Sequence, residues 1–259
     1  MPIFEKPDVT INYETFGNKD KPTLIFSNSL GTTYQMWQPQ IQVLQKDYFV
    51  IGYDTRGHGA SSAPTGPYSF DQLGQDVIDL LDHLNIDKAF FCGISMGGMT
   101  GQWLAIHYPK RFYHLMLCNT AAKIGTEVAW QDRAQLVRTE GLSTIAETAA
   151  NRWFTSSFIA NNPDIVSNLS NELAAGSAEG YASCCEALSI ADAREHLKTI
   201  TAPVTVIAGS EDPITTITDG QYMADNIPNA VLNTINASHI SNIEQPEVFN
   251  QFIHQYLSQ

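Results

Sequence analysis

The sequence predicts an α/β fold: a mostly parallel sheet with helices on both faces and an all-helical cap inserted between two sheet strands. Three observations carry this. Short apolar runs bounded by Gly, Pro, Asn or Asp recur along the chain, several of them apolar at consecutive positions, as strands covered on both faces are. Amphipathic helical stretches lie between them, and alternating strands and helices build a parallel sheet. The alternation stops after Thr120 and resumes only near Thr201.

The strand candidates, in order, are "VTINYETFG", "PTLIFSN", "YFVIGYD", "AFFCGIS", "YHLMLCN", "PVTVIAG" and "AVLNTIN". The first alternates in polarity and is expected at an antiparallel edge. The clearest helix is "SFDQLGQDVIDLLDHLN", with apolar residues at Phe70, Leu73, Val77, Leu80, Leu81 and Leu84. That spacing is helical; Ser69 is its candidate N-cap and Asn85 its candidate stop. From Ala121 the chain is rich in Ala, Glu and Ser, with helical stretches such as "EVAWQDRAQLVRTEG" and "GLSTIAETAANRWFTSSF". The expected organisation is one core formed by residues 1–120 and 201–259, with a helical cap at 121–200.

A chain of 259 residues with 43% hydrophobic content buries a sizeable core without metals or disulfides. Its net charge of −13 argues against nucleic acid and anionic membrane surfaces as partners. The same field repels an anionic substrate, so such a substrate needs a local cationic group. Cys92, Cys118, Cys184 and Cys185 show no metal-ligand spacing and are expected to be reduced thiols in a cytoplasmic protein. The first residues lack the pattern of a signal peptide, and no apolar run is long enough to span a membrane. The sequence is silent on oligomeric state.

The chemistry starts at "CGISMGG". Gly93-Ile94-Ser95-Met96-Gly97 fits G-x-S-x-G, with a predicted strand before it and a helix after it. In such an elbow the serine occupies a sharp turn, and the flanking glycines let strand and helix approach closely. Ser95 is the expected nucleophile, and the Met96 amide at the helix start is an expected donor to a developing oxyanion. A serine needs a base. His83, His107, His114, His196 and His254 fall in helix, strand or cap patterns, and His58, in "DTRGHGAS", reads as a residue that hydrogen-bonds within its own turn. His239 follows a strand and stands in a loop, where a base at the Ser95 edge belongs. The acid that holds the imidazole is expected in "AGSEDPIT", at Asp212, with Glu211 as the fallback. The second oxyanion donor is expected in "FSNSLGTTYQMW", at Leu30, where Asn28 and Ser29 shape or touch the substrate.

In this order, Ser95, Asp212, His239, the chain resembles the α/β-hydrolase fold superfamily over nearly its whole length. Within it, the stretches "FSNSLGTTYQMW", "YDTRGHGASSAP", "GISMGGMTGQWLA", "AGSEDPIT" and "SHISNIEQPEVF" resemble the 3-oxoadipate enol-lactonases of the β-ketoadipate pathway of aromatic catabolism. Many relatives carry His-Gly where this chain has Asn28-Ser29, and that form points to the lactonases. The resemblance implies hydrolysis of 3-oxoadipate enol-lactone through an acyl-enzyme, without metal or cofactor. It leaves open a carboxylesterase, a carbon–carbon bond hydrolase, a cofactor-free perhydrolase, or a small-molecule receptor on the same fold. The lactone is a small anion, and the cap holds Arg133, Arg138 and Arg152. Trp130 and Arg133 share a helix face and suit a flat, carboxylated ring; Trp153 is expected to add to the pocket wall.

Overall fold

The computed structural model describes residues 2–257. Met1, Ser258 and Gln259, which fall within the expected core segments, lie outside them. Eight strands form one sheet: β1 (Ile3–Glu5), β2 (Thr10–Phe16), β3 (Thr23–Ser27), β4 (Phe49–Tyr53), β5 (Ala89–Ile94), β6 (Phe112–Cys118), β7 (Val204–Gly209) and β8 (Val231–Ile235). The spatial order is β1-β2-β4-β3-β5-β6-β7-β8. β2 runs antiparallel to both β1 and β4, and every later pairing is parallel.

All seven predicted strands form. The strand expected at the edge does not end the sheet, however, because β1 pairs along its outer side. β1 has only three residues, too few to show a period.

Consecutive apolar residues are explained by the two covered faces. Leu24 and Phe26 of β3, and Phe90, Cys92 and Ile94 of β5, join one apolar cluster. Ile25 and Phe91, pointing the other way, join a second. The first cluster meets α1 (Gln38–Leu44) and α11 (Pro246–Tyr256); the second meets α2 (Phe70–His83), α3 (Met96–His107) and α9 (Ile217–Asn226). Ser69 caps α2 as expected: its hydroxyl accepts from the Gln72 N–H, and the Gln72 side chain accepts from the Ser69 N–H at 3.0 Å. Asn85, just past the end of α2, takes φ 58°.

Between β6 and β7 lie α4 (Glu127–Glu140), α5 (Ser143–Trp153), α6 (Ser156–Asn161), α7 (Pro163–Ala174) and α8 (Ala178–Ile190). No strand interrupts them among the described residues. α4 packs along α8, and α5 along α7. Their buried side chains are continuous with the first sheet cluster, through Ala149, Trp153, Tyr181 and Cys185.

Two features of the sheet place a site. The chain leaves β3 towards β4 on one side, and the next strand, β5, pairs on the other, so the winding reverses between β3 and β5. The parallel registers, such as Ser27 with Gly93 and Cys118 with Ile207, also bring the carboxyl ends of these strands to one edge. Loops after β3, β5, β6, β7 and β8 therefore emerge together.

Candidate active site

Ser95 stands between β5 and α3 with φ 58° and ψ −115°, a backbone state unfavourable for any residue with a side chain. Its neighbours hold it there. The Ser95 N–H donates to the Cys118 carbonyl at 3.0 Å, and the Ser95 carbonyl accepts from the Thr120 hydroxyl at 2.8 Å. The two glycines of the motif are required by contact. A Cβ on Gly93 would sit 2.3 Å from the Gly97 carbonyl oxygen, and one on Gly97 would sit 2.2 Å from the Ser27 carbonyl oxygen. The start of α3 thus lies directly against the strand end that leads to Leu30.

His239 is 1% exposed, in the loop after β8. Its Nδ1 lies 2.8 Å from Asp212 Oδ2. Asp212 is buried in the turn after β7, whereas Glu211 faces solvent, which separates the two carboxylates that the sequence left as alternatives. Asp212 Oδ1 accepts from the N–H groups of Ile214 and Thr215, at 2.8 and 3.0 Å. Oδ2 also accepts from the Thr215 hydroxyl at 2.8 Å and from Asn119 Nδ2 at 3.1 Å. Burial works against ionisation of this carboxyl. The His239 ring and the backbone N–H donors outweigh it and hold Asp212 below its ordinary value. An ionised Asp212 accepts the Nδ1 proton and leaves Nε2 of His239 free to take one.

Asn119 belongs to this arrangement and sequence reasoning missed it. Its Nδ2 bonds Asp212 and the Ser238 carbonyl at 3.0 Å, while its Oδ1 accepts from the Ser241 hydroxyl at 2.6 Å. The only available signal was its place at a strand end, in "LMLCN". The His239 loop is also tied to the cap. Ile240 N–H donates to the Trp153 carbonyl at 3.0 Å, and Glu244 accepts from Ser238 N–H at 2.9 Å and from the Thr155 hydroxyl.

Ser95, His239, Leu30 and Ser29 line one cavity of about 210 Å³, roofed by Trp130, Arg133, Arg152, Trp153 and Tyr181. Leu30 and the Ser95 hydroxyl therefore share one cavity. Met96 opens α3, where N–H groups of the first turn have no partner within the helix. Ser29 is in the wall, but Asn28 is not. Asn28 is fully buried; its Nδ2 donates to the Tyr53 carbonyl at 2.7 Å and its Oδ1 accepts from Trp37 Nε1 at 3.0 Å. Fully buried and outside the cavity wall, this side chain does not face a ligand there, so the expected substrate contact at Asn28 is corrected to support of the loop.

The cap arginines divide. Arg138 is bound by Glu179 at 2.9 Å and Glu186 at 2.6 Å, away from the cavity. Arg133 lies over the Trp130 ring, 5.1 Å from its centroid. Arg152 donates to the Thr148 hydroxyl at 2.6 Å and to the Ile145 carbonyl at 3.1 Å. Among the described residues, neither Arg133 nor Arg152 has a carboxylate within salt-bridge distance. Burial, and then the charge of Arg133, push Arg152 below its ordinary value. The roof is thus electropositive in a strongly acidic protein.

Residues 22–246 match the alpha/beta hydrolase fold family. The chain is similar to 3-oxoadipate enol-lactonase 2 of Acinetobacter baylyi, with 61% identity over 98% of this chain and 97% of that one. It is 46% identical to 3-oxoadipate enol-lactonase 1 of the same organism, over 96% of this chain and 93% of that one. Among solved structures, the enol-lactonase from Burkholderia xenovorans LB400 superposes with a TM-score of 0.97 at 40% identity, covering 100% of both chains. With an eight-stranded sheet, a strained serine at the sheet's reversal point and a buried His–Asp pair whose imidazole lines the same cavity, this chain belongs to the α/β-hydrolase fold family.

Proposed function

We propose that the protein hydrolyses 3-oxoadipate enol-lactone to 3-oxoadipate, in the breakdown of aromatic compounds, with Ser95, His239 and Asp212 as its catalytic residues. The observation that carries the reading is the cavity. Its lining holds a hydroxyl and an imidazole already bonded to a carboxylate, together with two guanidinium groups without a carboxylate partner among the described residues. Like charges side by side disfavour each other, and a bound carboxylate offsets that cost. A neutral ester leaves it in place. The similarity to enol-lactonases supports the same substrate.

In the first half-reaction, Ser95 Oγ attacks the lactone carbonyl carbon and His239 Nε2 takes the hydroxyl proton. The carbonyl oxygen becomes an oxyanion held by the N–H groups of Leu30 and Met96, each donor worth about 2.7–4 kcal/mol at comparable sites. The ring C–O bond then breaks. The leaving group is an enolate tethered to the acyl-enzyme; it gains a proton from His239 and becomes a ketone. In the second half-reaction, His239 takes a proton from water as the water attacks the ester, and Ser95 regains its proton as the acid leaves. The substrate's carboxylate stays against Arg133 and Arg152 throughout, with the Trp130 and Trp153 indoles along the ring. No step calls for a metal or cofactor. Four free, buried cysteines suit a reducing compartment, the cytoplasm.

The test is a substrate panel. The enol-lactone should exceed simple alkyl esters and dienoic ring-cleavage products in kcat/KM. Faster turnover of either alternative would replace the lactonase reading with an esterase or a carbon–carbon bond hydrolase. Tight binding without product would replace it with a receptor.

A further inference from the structure

A histidine outside the relay touches the loop that carries Leu30. His58 is 6% exposed, in the turn after β4. Its Nε2 lies 2.9 Å from the backbone nitrogen of Gly31. A backbone N–H only donates, so Nε2 is the acceptor and carries no proton. The ring proton is then on Nδ1, which faces the Arg56 carbonyl at 3.3 Å.

Gly31 is the second central residue of a tight turn. Its φ is +81°, and the Thr32 N–H closes the turn on the Ser29 carbonyl at 3.2 Å. These are the marks of a type II turn with Leu30 and Gly31 at its centre. Type I and type II turns differ by a flip of the central peptide, so an acceptor fixed on one side of that peptide selects between them. His58 is such an acceptor. On the cap side there is no slack: a Cβ on Gly31 would fall 2.7 Å from Leu173 Cδ1 and 3.1 Å from Tyr181 Cε2.

The His58 turn is itself anchored. The Arg56 guanidinium binds Asp76 twice, at 2.6 and 2.8 Å, with both side chains 2% exposed. Gly57 meets the backbone of Gly180 in α8 so closely that a Cβ would come within 2.5 Å of Gly180 Cα. Burial lowers the His58 pKa against the opposing effects of the Arg56 carbonyl and Asp54, which keeps the ring neutral. The other titratable groups around it are Arg56 on its own turn, Glu172 of α7, and Tyr181 and Cys184 of α8. Arg56 is neutralised by Asp76, and Glu172 accepts from the Thr33 hydroxyl at 2.9 Å.

We propose that His58 is a positioning residue: through the Gly31 N–H it locks the turn that presents the Leu30 amide to the oxyanion. This rests on the role given to Leu30 above.

The experiment compares His58→Gln and His58→Phe with the wild type. The Gln carbonyl can reach the place of Nε2, and Phe fills the space without an acceptor. His58→Phe should lower kcat by about tenfold or more with little change in KM, whereas His58→Gln should stay within about threefold of the wild type. Folded His58→Phe with wild-type kcat, or His58→Gln as slow as His58→Phe, overturns the proposal. If His58→Phe does not fold, nitrogen NMR of the wild type decides. An unprotonated Nε2 coupled to the Gly31 N–H is expected, and a protonated Nε2 overturns it. Should the wild type ignore the enol-lactone, the lactonase reading fails alone, and the same comparison is made with an activated phenyl ester.

Discussion

Replacing Asp212 by Asn tests the relay through a single oxygen-to-nitrogen change, and the structure dictates how the amide must settle. An amide nitrogen in the place of Oδ1 would face the N–H groups of Ile214 and Thr215, two donors that cannot turn around. In the place of Oδ2 it faces the Thr215 hydroxyl, which can reverse, and His239, which can change tautomer. Asn119 Nδ2 must give there, but it keeps its bond to the Ser238 carbonyl. The second placement leaves fewer buried donors unpaired, so it wins. His239 then accepts at Nδ1 and carries its proton on Nε2, where it cannot take the proton of Ser95. The expected loss is ~10⁴-fold in kcat, or about 5.4 kcal/mol of barrier. The assay is the decay of the enol-lactone at saturation, with the melting curve as control. A folded variant that loses less than about tenfold refutes the reasoning. A second reading comes from acid stability. The His239 ring and the Ile214 and Thr215 N–H donors hold the Asp212 carboxyl below its ordinary value, so its contribution is full above the pH at which an unfolded aspartate ionises and is lost as pH falls through the lower folded value. The stability gap between wild type and Asp212→Asn should therefore narrow below that pH.

Ser95→Ala should abolish turnover and leave the fold intact. Ser95→Gly should be equally inactive but more stable, by about 1 kcal/mol, because relief of the backbone strain outweighs glycine's entropy cost; thermal melting reads this, and a lower melting temperature contradicts it. Arg133→Ala should cost roughly tenfold to a hundredfold in kcat/KM for the enol-lactone, through loss of a charged hydrogen bond of about 1.5–3 kcal/mol. The same variant should leave a lactone without a carboxylate unaffected; equal losses on both would assign Arg133 to packing. Gly97→Ala should destabilise by about 3 kcal/mol or more, since the methyl meets the fixed Ser27 carbonyl, and denaturant titration within about 1 kcal/mol of wild type would contradict that.

Much of this molecule is legible in its sequence because its signals are local. Strands covered on both faces read as continuous apolar runs, so β3, β5, β6 and β7 stand out. The elbow is legible because steric need writes glycine at Gly93 and Gly97. Asp212 and His239 could be named from their loops, yet their pairing depends on β7 and β8 being neighbours, which no local pattern contains. β1 was missed for its length, and Asn119 because an asparagine at a strand end reads as an ordinary turn residue. Asn28 misled for the opposite reason. It sits in the right loop, but its side chain turns under the loop to Trp37. The arginines show the same limit. Spacing put Trp130 and Arg133 on one helix face, but only the packing of α4 against α8 separates Arg133, in the roof, from Arg138, held by Glu179 and Glu186.

The central claim is that Ser95 is a nucleophile driven by His239 and Asp212. A fluorophosphonate tests it most directly, because the phosphorus adduct mimics the tetrahedral intermediate and does not hydrolyse readily. Peptide mass mapping should find one phosphonyl group per chain, on Ser95, forming far more slowly in His239→Ala and Asp212→Asn. A label on any other residue, or a labelling rate indifferent to loss of His239, would contradict the account.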